Sequence, residues 1–409
     1  MKNKKKIIEV IAVCVVCVIA FLILTVFIKD IDDMPSNNNG GDNNGSNNGT
    51  NQDGHYYDEL FDGDIMEINI QMSKEDVFLL RETPSEDVYY YSDITINGIN
   101  WKNVGIRPRG KKNIEAVYES GSDKYSYKLD FNHYDKENKF YGLDGLYLNN
   151  MIEDESYIAQ YISYKLAEKL GAIVPYYTLA KVTVNGENEQ WYIVTEEMNN
   201  SFAKRVTGDD GTVALFKADN EDAILDANDS GVNYQVEYGD DATPSYIDKL
   251  VKALNKDTVS ETEIEAILDV ESVLKNVAIN FVVGNYAGYQ GTDPDNFYLL
   301  YDNGKISYIE KDYVGAGGNY RKDMGYSKTV LASKPFFNVD GYKRPLVSKL
   351  LSIEKYKNMY EGYVDQVYSY LKDSTVVDEA KKLLGDYTDT DAYKSAEKRL
   401  FSYIYRERD

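Results

Sequence analysis

The sequence predicts an α+β protein, with strands and one long helix in its first half and mostly helices in its second. Three Asn-Gly pairs, Asn97-Gly98, Asn185-Gly186 and Asn303-Gly304, each separate two β-prone runs. Asn and Gly readily adopt the positive φ angles of a two-residue turn, so each pair predicts a hairpin. After Ser245 the apolar residues recur at helical spacing, and this half carries the third hairpin.

An apolar segment near the start predicts a membrane anchor. Four lysines precede a run from Ile7 to Ile28, and a helix of that length would span about 33 Å, enough to cross a bilayer. The lysines favour a cytoplasmic tail at residues 1–6 and an extracellular C-terminal part. A cleavable signal peptide is the alternative, but Val18-Ile19-Ala20 is a poor cleavage site with more apolar residues after it. We therefore expect a single-pass protein of the cell membrane.

Residues 29–54 predict a flexible linker, because the stretch "PSNNNGGDNNGSNNGTNQDG" within them contains no apolar residue around which a core could form. The folded part is expected to begin between His55 and Asp64, with "DIMEINIQMS" as its first strand. Both cysteines, Cys14 and Cys17, lie in the apolar run. The expected extracellular part therefore contains no cysteine for a disulfide bond.

Helical segments are predicted by periodicity and by end signals. The stretch "DESYIAQYISYKLAEKLG" places Ile158, Ile162, Leu166 and Leu170 on one stripe and ends at Gly171. In the second half, "SYIDKLVKALNK" and "SETEIEAILDVESVLKNVAINFVV" show the same spacing, and the latter begins with a capping box from Ser260 to Glu263.

Composition limits the chemistry that the chain can perform. A net charge of −23 argues against nucleic acid as a partner, because phosphate contacts need clustered Lys and Arg. The two histidines, His55 and His133, exclude a multi-histidine metal site and make a Ser-His triad improbable. Carboxylates, amides and lysines must therefore carry any activity. The 38 tyrosines suit stacking on sugars or packing in protein contacts, although filling the core is the simpler explanation.

The third hairpin predicts a candidate metal site. If Asn303-Gly304 is a two-residue turn, paired residues have numbers that sum to 607, so Asp295 faces Asp312 with Asn296 beside them. Mg²⁺ prefers oxygen ligands and usually takes one or two carboxylates together with phosphate oxygens. The alternative is that these residues serve turn chemistry alone.

Six stretches in order resemble motifs of the CotH kinase family, which comprises secreted or spore-coat proteins with an atypical protein-kinase-like fold. They are "SYKLDFNHY", "FYGLDGLYLNN", "ESYIAQYISYKLAEKLGAIVPYY", "VTVNGENEQWYIVTEEMNNSF", "ALFKAD" and "NFYLLYDNGKISYIEKD". The resemblance extends from about Tyr89 to Gly318. It implies a two-lobed domain at residues 55–409, with a strand-rich lobe over about 64–200 and a mostly helical lobe over about 201–409.

The resemblance also implies an activity: ATP-dependent phosphorylation of Ser or Thr in surface or coat proteins, with Mg or Mn. Lys128 in "SYKLDF" matches the family's lysine on the small-lobe sheet, and Arg109 begins "RGKKN", which matches its phosphate loop. Asn296 and Asp312 match its catalytic amide and its metal-binding acid. Glu196 follows the second hairpin and, with Arg109 and Lys128, is a candidate cofactor-binding residue. It could pair with a small-lobe lysine or have no partner.

Several positions depart from the family pattern. Ala287 stands where the family has a catalytic aspartate, Arg109 replaces a lysine, and Ala159 and Gln160 replace an arginine and a glutamate. The sequence therefore favours a weakly active kinase or a pseudokinase that still binds ATP. The alternative is a non-catalytic cell-surface scaffold, or an adhesion module that binds carbohydrate or protein.

Overall fold

The computed structural model describes residues 56–62, 65–152, 154–208, 212–239, 244–291, 294–318 and 344–405. Within these residues the α+β prediction is confirmed. The predicted cytoplasmic tail, anchor and linker all lie outside them. Among the helices in the described ranges, none is both long enough and apolar enough to cross a bilayer.

The first half of the chain forms a closed barrel of seven strands. In chain order these are β1 (Met66–Gln71), β2 (Tyr90–Ile96), β3 (Ile99–Pro108), β4 (Tyr127–Asp130), β5 (Gly145–Asn149), β6 (Tyr177–Val184) and β7 (Gln190–Glu196). Their order around the barrel is β1-β2-β3-β4-β5-β7-β6, and a parallel pairing of β1 with β6 closes it. The predicted first strand is thus confirmed as β1.

Alternating apolar residues explain why these strands close around a core. Along β1 the side chains alternate between buried and exposed, so Met66, Ile68 and Ile70 face inward. They pack in one cluster with Trp101 and Leu129 from neighbouring strands. A fully buried side chain of this size contributes about 1.5–3 kcal/mol, so the barrel interior dominates the stability of this half.

Four helices accompany the barrel: α1 (Tyr56–Leu60), α2 (Lys74–Glu82), α3 (Lys111–Ser120) and α4 (Ala159–Lys169). The stripe predicted for α4 is buried, and Gly171 follows it at φ 73°. The helix begins later than its sequence pattern suggests, because the Asp154 carboxylate accepts the backbone N–H groups of Ser156 and Ala159 and holds the preceding residues in a turn.

The second half contains helix α5 (Asn200–Thr207) and a four-stranded sheet made of β8 (Val213–Ala218), β9 (Tyr234–Tyr238), β10 (Phe297–Asp302) and β11 (Lys305–Glu310). The strand order is β11-β10-β8-β9. One face of this sheet packs on the helices that follow, and the other face contributes Tyr298, Leu300 and Ile309 to a cluster with Phe202 of α5.

The remaining helices confirm the predicted helical half. They are α6 (Pro244–Leu254), α7 (Glu261–Ile267), α8 (Val270–Val283), α9 (Pro345–Leu350), α10 (Glu354–Lys372), α11 (Thr375–Leu384) and α12 (Asp391–Tyr405). The predicted cap is present, since Ser260 Oγ accepts the N–H of Glu263. The stretch from residue 260 to 283 forms two helices, because Asp269 caps a second one at Ser272 N–H.

All three predicted hairpins are present. Asn97 and Asn303 have φ angles of 49° and 46°, and both turns have two residues, since Ile96 pairs with Ile99 and Asp302 with Lys305. The second hairpin differs, because its ladder ends at Val182 and Gln190. Its turn still has two residues, since the N–H of Glu187 donates to the carbonyl of Val184. As in the other two hairpins, the asparagine side chain accepts a distant backbone N–H, here that of Met72, just beyond the end of β1.

Candidate active site

A cleft of about 400 Å³ lies between the start of α3 and the open end of the β10–β11 hairpin. The barrel side is lined by Arg109, Gly110, Lys111, Lys112, Asn113, Glu115, Ala116, Ser126, Asn149, Asn150, Met151, Ile152, Asp154 and Gln160, and Glu221, which follows β8, also lines the cavity. The hairpin side is lined by Asp295, Asn296, Lys311, Asp312 and Val314. The structure thus brings three of the predicted site residues, Arg109, Asn296 and Asp312, to one cavity.

The N-terminus of α3 forms the barrel-side wall. Gly110 precedes the helix with φ 80°, a conformation that glycine adopts without strain, and no side chain caps the helix. The first turn contains no acidic residue, and its sequence begins Lys111-Lys112-Asn113. A helix start with open N–H groups, adjacent lysines and no capping carboxylate favours a bound anion such as phosphate.

The hairpin-side wall follows from the register of β10 and β11. Residues of the two strands pair as predicted, with numbers that sum to 607, as far as Phe297 and Glu310. Beyond this pair, the N–H of Lys311 donates to the carbonyl of Asn296 at 3.2 Å. Beyond this point the Asn296 side chain continues the contact, because its Nδ2 donates to Asp312 Oδ1 at 2.8 Å. This bond leaves Asn296 Oδ1 and Asp312 Oδ2 for other partners.

A buried amide holds the Asp312 turn in place. Asn285 Nδ2 donates to the carbonyl of Asp312, and Asn285 Oδ1 accepts the N–H of Gly315, both at 3.1 Å. Asn280 Oδ1 also accepts from Asn285 Nδ2, which fixes the amide orientation. One completely buried side chain therefore joins both ends of the turn that carries Asp312.

A second amide network forms the back of the cleft. Asn113 and Asn150 exchange hydrogen bonds at 3.0 and 3.1 Å, which connects α3 to the residue after β5. Ser126 Oγ donates to Asn149, and Asn149 Nδ2 donates to Gln160 Oε1 of α4 at 3.2 Å. These neutral groups link both helices to the barrel.

Lys128 lies on β4 but is not among the residues that line this cleft. Its ammonium is 2.6 Å from Glu197 Oε1 and 3.8 Å from Asp130, and Glu197 Oε1 also accepts the Tyr147 hydroxyl at 3.1 Å. The pKa of Lys128 is raised: burial opposes the charged form, but Glu197, Tyr89 and Asp130 together outweigh its effect. Lys128 thus belongs to a buried ion pair beside the cleft.

The partner expected for Glu196 was wrong. Glu196 is fully buried, and it pairs with the Arg205 guanidinium at 2.7 Å rather than with a lysine. It also accepts the Tyr56 hydroxyl of α1 at 2.5 Å. Glu196 and Glu197 follow each other at the end of β7, so their side chains leave the backbone in different directions, and Glu197 is the one that reaches Lys128.

The model of the CotH kinase protein family matches residues 106–407 of this chain. The chain therefore belongs to the CotH kinase protein family. The comparison with curated proteins gives no match. The matched range begins within β3, so it includes both walls of the cleft and excludes α1, β1 and β2.

The residues that depart from the CotH pattern differ in their position relative to the cleft. Ala287 is completely buried, and its N–H lies 2.6 Å from the position that a Cβ on Gly315 would occupy. It thus packs behind the Asp312 turn and is not among the residues lining the cleft. Ala159 is buried in the helical core, whereas Gln160 faces the cleft.

Lys311 is a cleft residue that the sequence analysis did not single out. Burial lowers its pKa, and the positive charges of Lys217 and Arg109 add to this effect, while Asp312 and Asp295 oppose it. The signal that could have identified it is its position beside Asp312 at the end of a strand. Lysine is rarely placed in a buried setting without an anionic partner.

The donor atoms fit a divalent cation that a phosphate completes. Among the described residues no three His, Cys, Asp or Glu side chains gather as a metal site. Asp312 and Asp295 with the Asn296 amide nevertheless share one wall of the cleft. Mg²⁺ is commonly held by one or two carboxylates plus substrate phosphates, so this set suits a metal that arrives with a nucleotide.

Proposed function

We propose that this CotH family member binds ATP with Mg²⁺ or Mn²⁺ in the cleft of a two-lobed kinase-like domain, anchored in the cell membrane and facing outward. The observation that carries this proposal is the opposition of two features across one cavity. The uncapped N-terminus of α3, with Arg109 beside it, lies across from Asn296 and Asp312. The protein that it modifies or binds is a surface or coat protein, as the family implies.

Each wall has a distinct role in this proposal. The N–H groups of the first turn of α3 and the Lys111 and Lys112 ammonium groups hold phosphate oxygens. Asp312 Oδ2 and Asn296 Oδ1 would hold the cation, with Asp295 close by. When bound, the cation neutralises charge on the transferred phosphoryl group. Lys128 and Glu197 support the barrel wall from outside the cavity.

Phosphoryl transfer is weak or lost in this proposal. A positioned general base contributes about 10²- to 10⁴-fold to a rate. Ala287 supplies no such group and is buried behind the Asp312 turn. Asp295, in the loop that precedes β10, is one of several carboxylates that line the cleft, together with Glu115, Asp154 and Glu221, and it is the one proposed to orient an attacking hydroxyl. A second candidate function, a non-catalytic scaffold that uses bound nucleotide only to fix its shape, is favoured by the same buried alanine.

Calorimetric titration tests the binding proposal. The full chain, purified in detergent micelles, is titrated with ATP in the presence of Mg²⁺, of Mn²⁺, or of chelator. We expect the cation to increase ATP affinity, and Asp312→Asn to abolish that increase, because the amide keeps the contact with Asn296 but removes the charge. Asp302→Asn, at the turn of the same hairpin, is the matched control. ATP binding that no cation improves would refute the metal-nucleotide site.

Limited proteolysis tests the proposed location. Protease added to intact cells should release a soluble fragment by cutting between Pro35 and Gly54, since that stretch is rich in Asn and Gly. The fragment's N-terminal sequence identifies the cut. Recovery of the uncut domain in the cytosolic fraction would refute the outward orientation.

A further inference from the structure

The turn that carries Asp312 is held from two sides. On the cleft side, Asn296 Nδ2 donates to Asp312 Oδ1 at 2.8 Å. On the far side, Asn285 Nδ2 donates to the main-chain carbonyl of Asp312 at 3.1 Å. Asn285 is completely buried and is not among the residues that line the cleft. It can therefore influence a ligand in the cavity only through the Asp312 turn.

Both ends of the Asn285 amide are used in this contact. Its Oδ1 accepts the N–H of Gly315 at 3.1 Å, and its Nδ2 donates to Asn280 Oδ1 as well as to Asp312. An amide combines a donor with an acceptor, whereas an ionised carboxylate offers acceptors alone. Asparagine therefore binds the carbonyl at one end of the turn and the N–H at the other, which an ionised aspartate cannot do.

Helix α8 supplies a rigid base for this amide. Asn280 belongs to α8, and its carbonyl accepts the main-chain N–H of Asn285 at 2.9 Å. Asn280 Nδ2 donates to Glu310 Oε2 at 2.6 Å and to Gln290 Oε1 at 3.0 Å. All these side chains are almost completely buried, so water does not compete for their hydrogen bonds. The position of Asp312 is thus fixed relative to α8 and β11 before any ligand binds.

The contact at Gly315 leaves no room for movement of the turn. A Cβ on Gly315 would lie 2.9 Å from Asn285 Oδ1 and 2.6 Å from the main-chain nitrogen of Ala287. The turn and the loop 285–291 therefore meet main chain to main chain. Mg²⁺ demands near-ideal octahedral geometry with ligands at about 2.0–2.1 Å, so a carboxylate that binds it must be held with comparable accuracy.

We propose that Asn285 is the positioning residue of the cation site, and that it pre-organises the Asp312 carboxylate by holding the main chain at Asp312 and Gly315. The presence of a cation at Asp312 rests on the function proposed above. The loop that carries Ala287 thus keeps a part in the site, although it supplies no base. Because Asn285 acts through Asp312, its loss should weaken the effect of the cation and leave the other contacts of ATP unchanged.

Calorimetric titration of the full chain in detergent micelles tests this role. The affinity for ATP is measured with Mg²⁺ and with chelator, and the ratio of the two is the gain from the cation. Asn285→Ala should reduce this gain by about tenfold, as expected when one ligand interaction is no longer aligned, and leave the affinity in chelator unchanged. Gly315→Ala presses on the same contact from the turn and should have the same effect.

Two further variants separate positioning from general support of the fold. Asn276 lies on the same helix, is 1% exposed, and donates to the carbonyls of Ser272 and Tyr308. Asn276→Ala should therefore lower the thermal unfolding temperature, as Asn285→Ala should, but leave the gain from the cation unchanged. In a protein that already carries Asp312→Asn, adding Asn285→Ala should not weaken ATP binding in Mg²⁺ further.

A measurement on the parent protein avoids dependence on variant folding. Coupling between two binding events is reciprocal, so a contact that favours the cation must itself be favoured by the cation. None of the residues 285–291 lines the cleft. Hydrogen exchange in this loop, read by mass spectrometry at saturating ATP, should nevertheless slow by about threefold when Mg²⁺ replaces chelator. Exchange in residues 272–278 of α8 should not change.

The outcomes separate this inference from the proposed function. A gain from the cation that survives Asn285→Ala, or that Asn276→Ala removes equally, overturns the inference and leaves the metal-nucleotide site standing. Loss of the gain in Asn285→Ala and Gly315→Ala alone supports it. If neither of these variants folds, unchanged exchange in the loop overturns the inference and slowed exchange supports it. A parent protein whose ATP affinity no cation improves refutes both the proposed site and the inference.

Discussion

Replacement of Glu310 by glutamine should remove a pH-dependent loss of stability. Glu310 is 2% exposed at the end of β11. Its Oε2 accepts Asn280 Nδ2 at 2.6 Å and the Tyr308 hydroxyl at 2.9 Å, whereas Oε1 is buried and has no hydrogen-bond partner among the described residues. Burial raises the pKa of Glu310 to about 8, against the lowering effect of the hydrogen bonds from Asn280 and Tyr308.

The direction in which stability changes with pH follows from proton binding in the folded and unfolded states. In the unfolded chain the carboxyl group has a pKa near 4.5, so between about pH 4.5 and 8 the folded protein holds a proton that the unfolded chain has released. Stability conferred by the neutral carboxyl is therefore complete below pH 4.5 and is lost as the pH rises to 8. One pKa unit corresponds to about 1.4 kcal/mol, so the loss approaches roughly 5 kcal/mol.

Glu310→Gln keeps an oxygen for Asn280 and Tyr308 but cannot ionise. We expect the variant and the parent to have similar free energies of unfolding at pH 5, and the variant to be more stable by a few kcal/mol at pH 8.5. Urea unfolding at both pH values, with chelator present, measures this difference. Glu361→Gln on an exposed face of α10 is the control. A stability difference that does not change with pH would show that Glu310 is ionised in the folded protein and would refute the reasoning.

Two further predictions concern packing around the same barrel and loop. Tyr56→Phe should reduce the free energy of unfolding by about 1–3 kcal/mol, because it removes one of the two donors to Oε1 of buried Glu196 and leaves only Arg205 Nε. Tyr57→Phe, on the same helix but 39% exposed, should have little effect in the same urea titration. Gly288→Ala should lower the thermal unfolding temperature, because its Cβ would lie 2.8 Å from Glu310 Oε1. Gly362→Ala changes a helical residue at which an added Cβ would meet no neighbouring residue within 4 Å, so it should instead raise that temperature. A higher unfolding temperature for Gly288→Ala than for Gly362→Ala would contradict the packing argument.

Local sequence signals were sufficient to predict most helices and strands and one wall of the candidate site. An Asn-Gly turn of two residues fixes the register of its hairpin, and that register brings Asn296 to Asp312 without any knowledge of the remaining fold. The hairpin at Asn185 shows where this reasoning ends. There the turn also has two residues, but the ladder ends at Val182 and Gln190, earlier than the turn predicts.

The opposite wall depends on contacts between distant segments. Which of two consecutive glutamates meets Lys128 is decided by the barrel order β4-β5-β7, and no periodicity in the sequence specifies that order. Packing selects Glu197, because Gly145 leaves room for its carboxylate, while Arg205 and Tyr56 take Glu196. The glutamate that pairs with a lysine of the barrel is therefore Glu197, and the neighbouring Glu196 pairs with an arginine.

The family pattern compares positions in sequence, whereas the role of a side chain depends on its contacts in this chain. Lys128 is paired with Glu197 and does not line the cleft. Ala287 is completely buried behind the Asp312 turn, so the surrounding packing has adjusted to a small apolar side chain. A substitution that restores the family's aspartate there would place an ionisable group at a completely buried position, which is costly unless the carboxylate finds a hydrogen-bond donor or a cation.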